Sequence, residues 1–155
     1  MNWQGLAAIA KPLEAFLARG GVVQSLFGVD NGVTTPDALI YSLYLKERFT
    51  SYRLAAVVPW RYSDSKFHPK CFQFDFEDHS VMLLGSANLT GGGILRNHEA
   101  TVELKVSRDD PFYPAIRRAW RKYARHSQPI TRQLIRNLVE SEQLARERTR
   151  AEARK

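Results

Sequence analysis

Cysteine is almost absent from the chain, which contains only Cys71 among its 155 residues. A single cysteine excludes a disulfide framework within the chain and any metal site built from several thiolates of one chain. No run approaches the roughly 18 uncharged apolar residues that a membrane span needs. The first residues also lack the basic segment of a secretion signal, and Lys11 and Glu14 interrupt their apolar stretch. We therefore expect a cytoplasmic protein that does not enter membranes.

Negative charge is scarce in the C-terminal part of the chain. Residues 117–155 contain twelve Lys and Arg against four Asp and Glu, whereas residues 1–116 carry a net charge of −1. The total of +7 therefore comes from the C-terminal helices. Such a basic region is typical of proteins that bind an anionic partner, although a solvated helix face with excess arginine has the same composition.

Hydrophobic periodicity predicts an α/β fold in a chain of ordinary soluble composition. Helical spacing marks residues 6–19, 36–45, 111–126 and 130–139, and Gly20 and Gly21 are a normal helix stop. Strand patterns mark residues 22–29, 54–59, 67–76, 80–85 and 98–106, with a glycine-rich turn and short helix over 87–95. We expect a mixed β-sheet flanked by helices on both faces, with a catalytic domain over 1–127 and a basic amphipathic helix and polar tail over 128–155.

The centre of the chain contains a recognisable sequence motif. Residues 68–75 read HPKCFQFD, residues 85–90 read GSANLT, and Glu99 follows in NHEATVEL. This pattern resembles the H-x-K-x4-D signature of the phospholipase D superfamily, with its downstream G-S-x-N and an acidic residue about one strand later. The form FHPK with GSANLT and two further glycines is similar to the nuclease branch, which includes single-motif bacterial nucleases and phospholipase D-like restriction endonucleases. The resemblance covers roughly residues 20–107 and implies a phospholipase D-like fold.

Phosphodiester hydrolysis without a metal needs a nucleophile, donors for the non-bridging oxygens and an acid for the leaving oxygen. On a strand, His68 and Lys70 would share a face because side chains alternate with period two. Ser86 and Asn88 share parity in the same way and offer a hydroxyl and an amide as neutral donors. The two pairs can therefore converge on one phosphate.

The resemblance also implies a role for each residue. His68 would form a covalent phosphohistidine, Lys70 and Asn88 would bind the phosphoryl oxygens, and Ser86 would assist. Glu99 would accept a hydrogen bond from a catalytic histidine and fix its tautomer. No cofactor or metal is implied.

Asp75 has the opposite strand parity from His68, so we expect it to support the site without touching the phosphate. Candidate contacts to nucleic acid lie on both sides of the motif. Arg61 is flanked by Trp60 and Tyr62 in the loop that leads to His68, where a loop anchored by a buried tryptophan is an equally good interpretation. The other candidates are the cations of the predicted basic helix: Arg117, Arg118, Arg121 and Lys122.

One histidine cannot be both the neutral nucleophile and the protonated acid of a two-step reaction. Superfamily members with one motif per chain form the site between two protomers, so the resemblance implies a homodimer in which His68 of each chain faces the other. His79 and His98 are weaker candidates for a direct role, because the first lies in a predicted turn and the second has the parity of an apolar face.

Three functions fit the sequence. The favoured one is a metal-independent nuclease that acts on DNA rather than RNA, in or beside a larger restriction or helicase system, as related domains do. The second is a lipid phosphodiesterase, since residues 111–126 are basic and aromatic. The third is a nucleic-acid-binding module without catalysis. The presence of all five motif residues argues against it.

Overall fold

The computed structural model describes residues 1–29, 32–57 and 67–144. Within these residues the strands form two three-stranded sheets and the helices pack against them, which confirms the predicted α/β class. The helices are α1 (Trp3–Ala18), α2 (Pro36–Arg48), α3 (Gly91–Leu95), α4 (Tyr113–Arg125) and α5 (Arg132–Glu140). The strands are β1 (Val23–Gly28), β2 (Tyr52–Val57), β3 (Cys71–Asp75), β4 (His79–Gly85), β5 (Thr101–Ser107) and β6 (Ser127–Pro129).

The first sheet is mixed and has the order β1-β2-β6. β1 and β2 are parallel and are joined by α2, as the predicted strand, helix, strand unit requires. α2 begins with Pro36 after Thr35, although the buried Thr35 hydroxyl makes no capping hydrogen bond. Asp37 in its first turn and basic residues in its last turn match the helix dipole. The core of this sheet is formed by side chains of α1, α2, β2 and α5, among them Leu6, Leu39, Leu45, Leu54 and Ile135.

α1 ends where the two glycines predict it. Gly20 has a φ of +86°, a left-handed conformation that glycine adopts without strain, and its amide donates to the Leu17 carbonyl. At the other end of α1, the Asn2 side chain accepts a hydrogen bond from the Gly5 amide at 3.0 Å. The helix therefore has a fixed start, which lies against the loop after β4.

The second sheet is antiparallel, with the order β3-β4-β5. α4 covers one of its faces. Ile116 of α4 packs with Met82 and Val106 in a small buried cluster, and Trp120 packs at its edge. The amphipathic pattern of α4 therefore serves to attach it to this sheet, and its charged side is exposed.

The structure corrects three expectations about local structure. His68 and Lys70 precede β3, because Pro69 has no amide to donate and the ladder begins at Cys71. β6 was not predicted, since three residues that end in Pro129 show no alternation. The strand predicted over residues 98–106 begins only at Thr101, and residues 130–138 of α5 contribute to the core of the first sheet.

Some predictions fall on residues 30–31, 58–66 and 145–155, which lie outside the described part of the chain. They are the turn after β1, the contacts of Trp60, Arg61 and Tyr62, and the polar tail. The division of the chain at residue 127 stays a prediction. Among the described residues, no helix has the length and apolar character needed to cross a membrane.

Candidate active site

The segment Phe67 to Lys70 contacts β4 of the second sheet and helix α4. The Lys70 carbonyl accepts a hydrogen bond from the Gly85 amide at 3.3 Å, one step before the β3-β4 ladder. The Phe67 ring makes an edge contact with Tyr123 of α4, with ring centroids 5.3 Å apart. Lys70 Nζ lies 2.9 Å from His68 Nε2 and donates to the His68 carbonyl at 3.1 Å. His68 and Lys70 are therefore neighbours, as predicted, although not through strand parity.

The loop that carries Asn88 is anchored to the start of α1. The Asn2 amide donates to the Leu89 carbonyl at 3.0 Å, and the Asn2 side chain accepts from the Gly91 amide at 3.1 Å. Thr90 caps α3 by accepting from the Gly93 amide at 3.0 Å. Asn2 was not among the predicted site residues, because nothing in its local sequence shows that it reaches a loop nearly ninety positions away.

Two glycines are required by this anchoring. A Cβ on Gly5 of α1 would lie 2.3 Å from the Thr90 amide nitrogen, and a Cβ on Gly93 would lie 2.4 Å from the Asn88 carbonyl oxygen. Both neighbouring atoms belong to the backbone, so neither could move aside without shifting the loop. The repeated glycines after Thr90 were the only sequence signal of this close packing.

A cleft of about 100 Å³ lies between the two sheets and brings the main predicted residues together. Its polar lining includes His68, Lys70, Asn88 and Thr34. The Thr34 hydroxyl is committed to the fold, because it donates to the Gly28 carbonyl at 2.7 Å. The apolar part of the lining consists of Met1, Leu26, Phe27, Phe67, Phe72 and Leu89. The cleft therefore offers an imidazole, an ammonium and an amide on a wall that is part polar and part apolar.

Ser86 and Glu99 form a separate pair beside the cleft. The Ser86 hydroxyl donates to the Glu99 carboxylate and accepts from the Ala100 amide at 3.1 Å. The side-chain amide of Asn97 donates to the other carboxylate oxygen of Glu99 at 3.1 Å. The hydrogen bonds from Ser86 and then Asn97, with the charge of Lys70, hold the pKa of Glu99 below its ordinary value. Glu99 is therefore an ionised group close to Lys70, and Asn97 is a partner that the motif did not indicate.

His68 makes no hydrogen bond to Glu99 among the contacts that the structure describes. The predicted bond between Glu99 and a catalytic histidine would therefore need the histidine of a second chain. That bond stays a prediction.

Asp75 lies at the end of β3 away from Lys70. It accepts hydrogen bonds from Ser80 and from Gln73, and Gln73 in turn accepts from the Trp120 indole of α4. Partial burial by itself would raise the pKa of Asp75, but these hydrogen bonds and the nearby charges of Arg108 and Arg117 outweigh it and lower the pKa. In this place Asp75 helps to fix α4 on the sheet.

Cys71 packs against the cluster beneath α4, where burial raises the pKa of its thiol. A buried thiol of raised pKa is a poor nucleophile, which fits packing rather than chemistry.

The exposed side of α4 carries a row of cations. Arg118, Arg121, Lys122 and Arg125 border one open groove, and we call this set the α4 cationic face. Three of them were predicted contacts, whereas Arg125 was not. Arg117 is not part of this groove and lies close enough to Asp75 to lower its pKa. Tyr123 on the same helix contacts Phe67, so the α4 cationic face and the His68 segment are linked through one packed pair.

Within the described residues, no three His, Cys, Asp or Glu side chains are grouped as in a metal site. The groups that converge on the cleft suit a different ligand. An ammonium and an amide NH2 can hold the oxygens of a phosphoryl group while an imidazole nitrogen faces the phosphorus.

A family model described as cardiolipin synthase, PLD-like domain, matches residues 7–123. The match includes most of α1 and most of α4, which the motif alone does not cover. No curated protein matches the sequence.

Proposed function

We propose, from the premise that this chain belongs to the phospholipase D superfamily, that it is a metal-independent nuclease with a site shared by two protomers. Membership of this superfamily indicates phosphodiesterase activity in general. The observation that carries the narrower proposal is the single cleft that His68, Lys70 and Asn88 line together. The cleft joins a nucleophile to two donors for phosphoryl oxygens, which are two of the three requirements for metal-free attack on phosphorus; the third is an acid for the leaving oxygen.

The proposed reaction has two displacements. A neutral His68 nitrogen bonds to phosphorus while the bond to the leaving oxygen breaks, and a protonated histidine gives that oxygen its proton. Water then attacks the phosphohistidine, the phosphorus–nitrogen bond breaks, and the second histidine, now neutral, takes the proton of the water. Lys70 and Asn88 bind the non-bridging oxygens in both steps, where negative charge accumulates.

The protonated histidine is assigned to a second chain. His68 is the only histidine that lines the cleft. Among the described residues, His79 begins β4 at the opposite end of the sheet and contacts Asp78 at 2.6 Å. His98 is exposed and precedes Glu99 outside the cleft, and His126 is exposed at the end of α4 and does not line the cleft. A two-fold arrangement of two clefts supplies the missing group with the same residue, His68.

Nucleic acid is favoured over lipid by the packing of α4. A helix that binds in a membrane interface inserts its apolar side, but Ile116 and Trp120 of α4 already pack against the second sheet. The α4 cationic face is left for solvent and for phosphates. The matching family is described by a lipid enzyme, so a phospholipid remains the second candidate substrate.

The test of function is a cleavage assay in EDTA with four labelled substrates: single-stranded DNA, double-stranded DNA, RNA and phosphatidylglycerol vesicles. We expect cleavage of DNA without added metal. Cleavage of the lipid alone would overturn the nuclease, and strict dependence on Mg²⁺ would overturn the mechanism.

The shared site predicts how mixtures of chains behave. A dimer of one wild-type and one His68→Ala chain has a nucleophile without an acid or an acid without a nucleophile, so it should be inactive. In fully exchanged equal mixtures, activity should fall to about one quarter of wild type rather than one half, by random pairing into closed dimers. Steady-state rates measured across mixing ratios distinguish a quadratic from a linear dependence. Full activity in a verified monomer would exclude the shared site.

The α4 cationic face predicts the salt dependence of binding. Each lost phosphate contact should reduce the slope of log affinity against log salt by about 0.9 on duplex DNA, so Arg121→Ala with Lys122→Ala should reduce it by roughly twice that. Fluorescence anisotropy at several salt concentrations measures the slope. The control is the double variant Lys11→Ala with Arg19→Ala, which removes the same charge from α1 and its C-cap. Its slope should stay within roughly half a unit of wild type. Equal slopes for both double variants would show that α4 does not contact phosphates.

A further inference from the structure

β5 is an edge strand whose outer side has no strand partner among the described residues. Among the described strands it pairs only with β4, and almost all of its residues are exposed. Val102 is 58% exposed and Leu104 is 37% exposed, although both face the α4 side of the sheet. An exposed edge strand with apolar side chains is a template for pairing with another strand.

The hydrogen bonds of β5 show which of its backbone groups are available. The Ala100 carbonyl accepts from Ser86 and the Arg108 amide donates to Asp78, so both groups point toward β4. Because the direction alternates along an antiparallel strand, residues 102, 104 and 106 also point toward β4. The amides and carbonyls of residues 101, 103 and 105 and the amide of residue 107 therefore point outward and are available, whereas the Ser107 carbonyl already accepts from the Asp110 amide at 3.2 Å.

The sequence of β5 is symmetric about Leu104. It reads TVELKVS, so equal distances from the centre carry threonine and serine, valine and valine, and glutamate and lysine. An antiparallel copy aligned on Leu104 would place Glu103 opposite Lys105 twice, Val102 opposite Val106 twice, and Leu104 opposite itself. Opposite charges and apolar pairs at facing positions each stabilise a sheet.

We propose that β5 pairs with β5 of a second copy of this chain, antiparallel and centred on Leu104. The register agrees with the backbone, because it pairs outward-pointing residues only with outward-pointing residues. It allows roughly six hydrogen bonds between chains, since the two Ser107 carbonyls are already bonded. It also agrees with the exposure of Leu104, because the two leucines would meet at a close, non-hydrogen-bonded position. Two charges of the same sign would have protected this edge, whereas one of each sign makes it complementary to itself.

This contact differs from the shared active site of the proposed function and does not depend on it. Antiparallel pairing brings Thr101, near Glu99, beside Ser107 of the second copy at the far end of the sheet. The two His68 side chains would therefore be far apart across this interface. If both interfaces form, the assembly contains twice as many chains as the active-site dimer alone.

The proposal is tested by reversing one charge of β5 and measuring the mass of the assembly. Glu103→Lys or Lys105→Glu places like charges opposite each other twice, and each variant should halve the assembly mass found by sedimentation equilibrium, with association weakened about tenfold or more. Mixing the two variants, or combining both changes in one chain, should restore the wild-type mass. Glu140→Lys in α5 changes charge equally at an exposed site and should have no effect.

Hydrogen exchange gives the second readout. In wild type, the amides of residues 101, 103, 105 and 107 should be protected, and Glu103→Lys should lose protection at these positions while 102, 104 and 106 stay protected by β4. The proposal is wrong if the single variants keep the wild-type mass, or if the mixture and the double variant fail to restore it. A mass that halves from four chains to two retains the active-site dimer, and one that halves from two to one leaves the β5 pairing supported and counts against the shared site.

Discussion

Replacing His68 by alanine is expected to lower the rate of phosphodiester cleavage by at least about 10⁴-fold, because the covalent route loses its nucleophile. His68 is exposed at the cleft and makes its hydrogen-bond contacts with Lys70 alone among the described side chains. The fold should therefore tolerate the change. Single-turnover rates on the preferred substrate measure the loss, and circular dichroism with thermal unfolding shows whether the fold is kept.

His98→Ala is the matched control for this prediction, since His98 is exposed and lies outside the cleft. We expect its rate to stay within about twofold of wild type, the range of a surface substitution. A folded His68→Ala variant that keeps the wild-type rate would remove His68 from the chemistry. Loss of activity in His98→Ala would instead make His98 the candidate for the missing acid.

Replacing Lys70 by alanine is expected to reduce kcat by about 10²- to 10³-fold with a smaller change in KM, as for loss of one donor to a developing negative charge. Lys70 is half-buried, its ammonium contacts the His68 ring, and its charge helps to lower the pKa of Glu99, so we expect it to bind a phosphoryl oxygen beside His68. Lys70→Arg should recover only part of the rate, since a planar guanidinium does not replace a compact ammonium. Lys11→Ala on α1 is the control and should match wild type.

The pH profile adds a readout to the Lys70 prediction. Hydrogen bonds from Ser86 and Asn97, with the charge of Lys70, lower the pKa of Glu99. Removing Lys70 should move that pKa upward, so Glu99 would become protonated at a higher pH as the solution is acidified. If ionised Glu99 serves the reaction, the acid limb of kcat should shift to higher pH in Lys70→Ala. A changed KM with unchanged kcat and pH profile would make Lys70 a binding residue only.

The sequence predicted those parts of the site that depend on local order. His68 and Lys70 are two positions apart in an extended segment, so they lie together even though Pro69 keeps them out of the β3 ladder. Parity was a poorer guide for Ser86 and Asn88, because the chain leaves β4 at Gly85 and turns. Asn88 lines the cleft, whereas Ser86 bonds to Glu99 beside it.

The parts that could not be predicted depend on contacts between distant segments. Asn2 holds the Asn88 loop across the chain, and Gly5 allows α1 to approach that loop, but neither residue belongs to a local pattern. The division of the strands into two sheets and the pairing of β6 with β2 are also long-range events. Periodicity identifies a strand and its faces, while its partner is decided by the packing of the whole chain.

The most direct measurement of the central claim is quenching of the wild-type protein during turnover in an alkaline denaturant, which preserves the phosphorus–nitrogen bond, followed by mass spectrometry of its peptides. A covalent mechanism predicts a peptide that contains His68 and carries the phosphoryl group with the cleaved fragment of the substrate. The same peptide from Lys70→Ala should carry less of it, and none should form in His68→Ala. A catalytically active protein that yields no adduct on His68, or an adduct on another residue, would contradict the account.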